Sequence, residues 1–291
     1  MSIRYQNGFG DVDDSTLKRS IPKFIEDNVE FQRDEKFGFI SIRSNKLPRL
    51  QELFFNPTAL EVIKECDGET SVFSIIDKMR RKYGLEYNDI KRDILEILFI
   101  FNRFQFIKWV DGGNDMQNKV IAKSNGLTVE VLDESEIRVL ISFLKLHKND
   151  IKYIHLMSNY KVYLEELYLR EALFSYSEDF YVIKNGNDIS SIISIKYNKN
   201  SKSTVASIGI MCGNINELEF ILDAIQTLSN DISEFKVNKL KIQFIKGNVD
   251  KKILEFLNSK NFNLEFTAKA ELDGKDIEHY SYFFNDGEGD I

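Results

Sequence analysis

Three prolines and fifteen glycines in 291 residues leave no room for a Pro-rich or Gly/Ser linker of any length. Cysteine and histidine are scarcer still, at two and three. Cys66 and Cys212 lie far apart in no CxxC spacing, so a Cys/His zinc site is not expected and both read as small buried hydrophobes. No apolar run approaches the roughly 18 residues that a membrane span needs. The start, Met1-Ser2-Ile3-Arg4-Tyr5-Gln6, lacks the apolar core of a signal peptide, which predicts a cytoplasmic protein. An excess of positive charge is also missing. Residues 1–110 hold 18 basic and 18 acidic side chains, so the whole net charge of −7 falls on residues 111–291. Binding by counterion release on nucleic acid needs the opposite sign, and no nucleic-acid partner is expected.

What remains is ordinary cored protein: 43% hydrophobic, 29% charged and 12% aromatic, in a length that suits two domains. The abundance of Lys, Asn and Ile suggests an AT-rich bacterial genome. Period-two alternation over Val29–Arg33 and Phe39–Arg43 predicts two strands joined through Glu35-Lys36-Phe37-Gly38, and a third strand fits Leu50–Phe54. The period then changes. Asn56 caps a helix with Pro57 at its first position, ending at Asp67-Gly68. A second helix covers Ser71–Tyr83 and stops at Gly84, and a third begins near Asn88. Three strands followed by three helices is a winged-helix-like order. The third helix carries Ile90, Ile94, Leu95, Ile97, Leu98, Phe99, Ile100 and Phe101, so it is apolar nearly all round. One stripe serves its own core; the other must be covered by the second domain or by a bound peptide.

The runs Phe54-Phe55-Asn56-Pro57-Thr58-Ala59 and Cys66-Asp67-Gly68-Glu69-Thr70-Ser71, followed by Ile75-Ile76, resemble the PqqD-like fold over about residues 20–110. This is the precursor-peptide recognition element of ribosomal peptide (RiPP) biosynthesis. The resemblance implies that the leader of a ribosomal precursor adds as a strand to the third strand and packs on the third helix. By position the groove would use Leu50, Leu53 and Phe54 from the strand, with Ile94, Leu98 and Phe101 from the helix. Other RiPP-modifying enzymes would be further partners.

Residues 111–126 are polar with two early glycines and read as a linker. Beyond them the order is strand 127–132, helix 134–146 and helix 160–174, then strands 180–184, 192–197 and 204–211. Helix 215–228, strand 239–244, helix 251–257 and strands 264–270 and 280–284 complete the chain. The expected fold class is therefore α+β, a winged-helix-like domain followed by a mixed α/β domain. The order β-α-α-β-β-β-α-β-α-β-β is similar to the GNAT (GCN5-related N-acetyltransferase) fold over about residues 119–285. Lys246-Gly247-Asn248 and Phe256–Phe262 resemble that family's closing signature.

A GNAT resemblance implies acyl-CoA in the splay between the fourth and fifth strands. Its pyrophosphate would sit on backbone N–H groups at the next helix start. The corresponding residues are Ala206, Ile208 and Ile210 along the strand and Gly213, Asn214, Ile215 and Asn216 at the junction. The sequence departs from the pattern there, with one glycine at the junction and no basic residue from Ser203 to Phe235, against five acids. The family's general-acid Tyr maps onto Leu257, which cannot deliver a proton, and the glycine of its signature onto Asn261. Glu171, Glu178 and Asp179 read as a solvated helix end or as flanks of an amine cleft, and His147 and His155 as solvated. Tyr280 and Tyr282 read as strand packing, and no catalytic residue stands out. Two readings follow: a leader-binding acyltransferase that acylates an amine of its peptide, or an inactive GNAT-like adaptor that presents a precursor to other enzymes. A winged-helix regulator fits less well, because Lys91, Arg92 and Arg103 are offset by Asp89, Asp93 and Glu96.

Overall fold

The computed structural model describes residues 12–34, 38–45, 53–110, 120–174, 177–186, 188–197, 204–231 and 237–284. Residues 7–118 form one compact unit and residues 119–291 the body of a second, and both mix helices with strands. Among the described residues no helix is long and apolar enough to cross a membrane.

The first unit opens with α1 (Asp14–Arg19). Its ends are tied together by β1 (Pro22–Phe24), which pairs antiparallel with β5 (Ile107–Trp109) from the far end of the unit. Between them, β2 (Val29–Asp34), β3 (Ile40–Ser44) and β4 (Leu53–Phe55) form an antiparallel sheet in that order. Of the expected third strand, Leu53–Phe55 is described and Leu50 lies outside the described residues. The helices α2 (Pro57–Glu65), α3 (Val72–Tyr83) and α4 (Tyr87–Arg103) follow. Their start and stop signals act as expected: Asn56 accepts the Ala59 N–H at 2.8 Å, Ser71 accepts that of Ser74, and Gly84 closes α3 in the left-handed region. Between α2 and α3, Asp67 accepts the N–H groups of Glu69 and Thr70, each at 2.7 Å. The unit thus has more than three strands and three helices. Strands as short as β1 and β5 are too brief to show a period, and only the register with each other defines them.

The second unit is built on a nine-stranded sheet. Its order is β13 (Asn263–Leu272), β14 (Lys275–Phe283), β12 (Lys239–Ile245), β11 (Val205–Cys212), β10 (Asp188–Tyr197), β9 (Glu178–Asn185), β7 (Leu127–Val131) and β6 (Val120–Ser124). The ninth strand, β8 (Ile151–Ile154), lies off this path and pairs with β11. Pairing is antiparallel except between β11 and β12. Residues 120–124 were expected in the linker. They form β6 instead, because Asn125-Gly126, both at positive φ, makes a tight hairpin to β7.

Alternation along β9 divides the core between the two faces. Tyr181 and Ile183 join α7 (Ile215–Asp231) and α8 (Lys251–Ser259), whereas Phe180 and Val182 join α5 (Ile137–Leu146) and α6 (Glu166–Phe174). Cys66 and Cys212 are both buried thiols, and burial pushes them up, to about 12 and about 11.

Candidate functional sites

In the first unit the candidate site is the edge of its sheet. β4 pairs with β3 (Ile40↔Phe55, Ser41↔Phe54, Ile42↔Leu53), and among the described residues no strand pairs with its other side. Alternation turns Phe55 inward, where its ring meets Phe101 edge-on at 5.0 Å, and leaves Phe54 62% exposed. Leu53 is half-buried. The helix side of the expected groove needs correction. Ile94, Leu98 and Phe101 are fully buried in the unit's own core, together with Val62, Ile75 and Ile76, so they face no ligand. The half-exposed apolar residues of the helix are Ile97, Phe99 and Ile100, with Phe104 just beyond its end. Phe104 stacks on Phe106, which meets Phe55, so this row is linked to the edge strand through aromatic contacts.

In the second unit, β11 and β12 pair in parallel over Val205–Ser207 and Lys239–Lys241, and no pairing joins them beyond. The edge of β11 that this divergence would free is not free. β8 lies against it, with Ile210↔Ile154, Met211↔Tyr153 and Cys212↔Ile151, and the His155 N–H reaches the Gly209 carbonyl at 2.7 Å. Tyr153 is 6% exposed, its ring edge-on to Phe244 at 5.2 Å, and its hydroxyl accepts the Gln243 N–H at 3.4 Å. β8 therefore touches both arms of the divergence.

The junction after β11 is similarly engaged. Gly213, at φ 129°, passes so close to β10 that a Cβ there would lie 2.0 Å from Ser191 Oγ. The Asn214 N–H donates to that oxygen at 3.2 Å, and the Asn216 N–H to the Asn214 side chain at 2.9 Å. Ser190 and Ser191 both donate to the Glu217 carboxylate. A carboxylate already occupies the first turn of α7, where it suits the helix dipole and opposes a phosphate.

These residues do not fit acyl-CoA. Ala206, Ile208 and Ile210 are buried, and Ala206 and Ile210 have partners on both sides, β10 or Ser194 on one and β12 or β8 on the other. Of Gly213, Asn214, Ile215 and Asn216, the second and fourth have their N–H groups bonded within the chain. Leu257 is fully buried among apolar neighbours, and Asn261 takes the left-handed φ of 62° that its glycine counterpart would supply. Tyr280 is buried on β14 with its hydroxyl on Glu278 at 3.3 Å.

Next to this cleft lies a polar cluster that the sequence did not disclose. Glu178 is 1% exposed rather than at a solvated helix end, and Asp179 is fully buried beside it. Glu178 accepts from Tyr163 at 3.0 Å, Tyr168 at 3.1 Å and Ser194 at 2.5 Å. The Lys196 ammonium stands 3.9 Å away and donates to Ser158 at 2.8 Å and Tyr168 at 3.1 Å. Burial pushes the Glu178 carboxyl up, against the pull of Lys196 and the three hydroxyls. Glu178 therefore has both oxygens engaged within the chain. Its one sequence signal was an acid pair directly before an apolar strand.

His155 is half-buried, and burial, then Lys196, lowers its imidazole below the ordinary 6.5. Its Nδ1 accepts the Met157 N–H at 3.2 Å, a bond the protonated ring cannot accept. The folded state therefore binds fewer protons than the unfolded one. This contribution is intact above about pH 6.5 and is lost as pH falls below it. The urea midpoint of the second unit, followed by circular dichroism, should drop between pH 6.5 and 5 in the wild type, and less so in His155→Gln. Equal slopes would remove His155 from the account.

Comparisons with known proteins bear on both units. Residues 53–101, from β4 to the end of α4, match the family described as coenzyme PQQ synthesis protein D (PqqD). No curated protein matches the chain. Among solved structures, a ribosomal-protein-S5-alanine acetyltransferase from Vibrio fischeri is 13% identical over 58% of this chain and 98% of its own, with a TM-score of 0.44. An acetyltransferase from Salmonella typhimurium that modifies the N-terminal serine of ribosomal protein L7/L12 is 16% identical over 57% and 99%, with a TM-score of 0.45. A ribosomal L7/L12 α-N-protein acetyltransferase in complex with coenzyme A is 15% identical over 57% and 98%, at 0.44. The resemblance to PqqD read from the sequence thus recurs in the family match.

Proposed function

We propose that the chain is a RiPP-pathway protein whose first unit binds the leader of a ribosomal precursor peptide by strand addition at β4, and presents that precursor to modifying enzymes. The observation that carries this reading is that, among the described residues, no strand pairs with the outer side of Leu53–Phe55, with Phe54 standing 62% exposed at the start of the segment similar to PqqD. Main-chain hydrogen bonds along an open edge supply affinity, and alternate side chains supply selectivity. The groove comprises Leu53 and Phe54, with Ile97, Ile100 and Phe104 as its helical side. The acylating alternative rests on the GNAT resemblance alone, since the residues around β11 do not fit a thioester.

Phe54→Asp is the direct test, because an exposed position accepts a charge without disturbing the core. In a fluorescence-polarisation titration with a labelled precursor peptide, affinity should fall by about tenfold or more, the loss expected for one exposed aromatic anchor. Unchanged affinity with an intact fold would exclude this edge as the peptide site.

A further inference from the structure

We infer that Ile151–His155 is a built-in strand ligand of the cleft between β11 and β12, which makes the second unit closed to acyl-CoA and independent of any cofactor for its shape. The inference stands apart from the peptide reading and rests on two separate features. The first is the strand edge. An amide-bearing ligand arm could pair with β11 only through backbone groups that now pair with β8 from Ile210 to Cys212, with His155 at Gly209, and with β12 from Val205 to Ser207. β8 is seated against both arms of the cleft and anchored just beyond its end. Its backbone meets β11, the Tyr153 ring meets Phe244 of β12, and the segment just after it is held where Lys196 donates to Ser158. The second feature is the α7 N-terminus, where the Asn214 and Asn216 N–H groups bond within the chain and the Glu217 carboxylate, held by Ser190 and Ser191, opposes an anion. The chain thus pairs the strand edge itself and sets a carboxylate where an anion would bind.

The alternative is a strap that a thioester displaces, and hydrogen exchange on the full chain separates the two. Amides of residues 151–155 and 209–212 should exchange as slowly as those of β10, and excess acetyl-CoA should leave them unchanged, with no saturable heat by calorimetry. Saturable heat together with loss of protection at 151–155 would overturn the proposal. Saturable heat without such loss would overturn the closure to acyl-CoA as well. Tyr153→Ala should speed exchange of residues 151–155 by about tenfold or more, because the side chain seats the strand. Tyr153→Phe, which keeps the ring on Phe244, guards against a variant that fails to fold and should stay close to the wild type. Protection unaltered in Tyr153→Ala would also overturn the proposal.

Discussion

Leu98→Asp is expected to unfold the first unit while leaving the second standing. Leu98 is fully buried on α4, in a core that includes Phe55, Ile76, Ile94 and Phe101. Removing its side chain forfeits about 2–3 kcal/mol of apolar burial. A carboxylate in its place has no basic partner among those neighbours, and burying an unpaired charge costs several kcal/mol more. The sum rivals the roughly 5–15 kcal/mol that holds a whole domain together. Trp109, the only tryptophan, lies on β5 with its indole N–H on Asn102 at 3.1 Å, so its fluorescence reports this unit alone. The variant should show no urea transition by Trp109 fluorescence but keep the second unit's transition by circular dichroism. A normal Trp109 transition would mean that Leu98 lines a groove after all.

That reversal of Leu98's role shows what was legible and what was not. Caps and stops at Asn56, Ser71 and Gly84 are local chemistry, and a single sequence displays them. The apolar excess of α4 was equally plain. Which residues face inward depends on where α2, α3 and the sheet lie around the helix, which no period encodes. In the second unit, strands β9 to β12 were legible and β12 alternated cleanly, but β8 is four residues long and its meaning lies in its partner, some sixty positions away. An empty slot and a filled one look alike in the sequence of β11. The decisive element sits in the connection between α5 and α6, where no strand was placed.

The filled slot also changes how the polar cluster is understood. Were the cleft open, a buried carboxyl raised by desolvation, with a lysine and two tyrosines close by, would invite a catalytic reading. With β8 in place the same groups hold the sheet and the following segment together. Glu178 on β9 takes hydroxyls from β10 and from the helical segments, and Lys196 ties Ser158 to Tyr168. A buried network with its hydrogen bonds made rigidifies the strands and helical segments around it.

Gly209→Ala tests that rigidity and should be strongly destabilising for a single added methyl. Gly209 has no need of left-handed backbone, so strain is not the issue; space is. A Cβ there would stand 2.2 Å from Glu178 Oε1, 2.6 Å from Ser194 Oγ and 2.8 Å from Lys196 Cγ. A free carboxylate would swing aside at little cost. This one is held by Tyr163, Tyr168 and Ser194, and Ser194 in turn accepts the Ile210 N–H at 2.9 Å. The methyl must therefore displace β11 or break hydrogen bonds to a buried acid, each worth about 1.5–3 kcal/mol. A loss of about 3 kcal/mol or more is expected by circular dichroism, with the Trp109 transition unmoved. Glu178→Ala removes the obstructing oxygen, so the double variant should lose much less than the sum of the two single changes. Additive losses, or a single-variant cost under about 0.5 kcal/mol, would show that the cluster yields easily and does not lock the strand beside it.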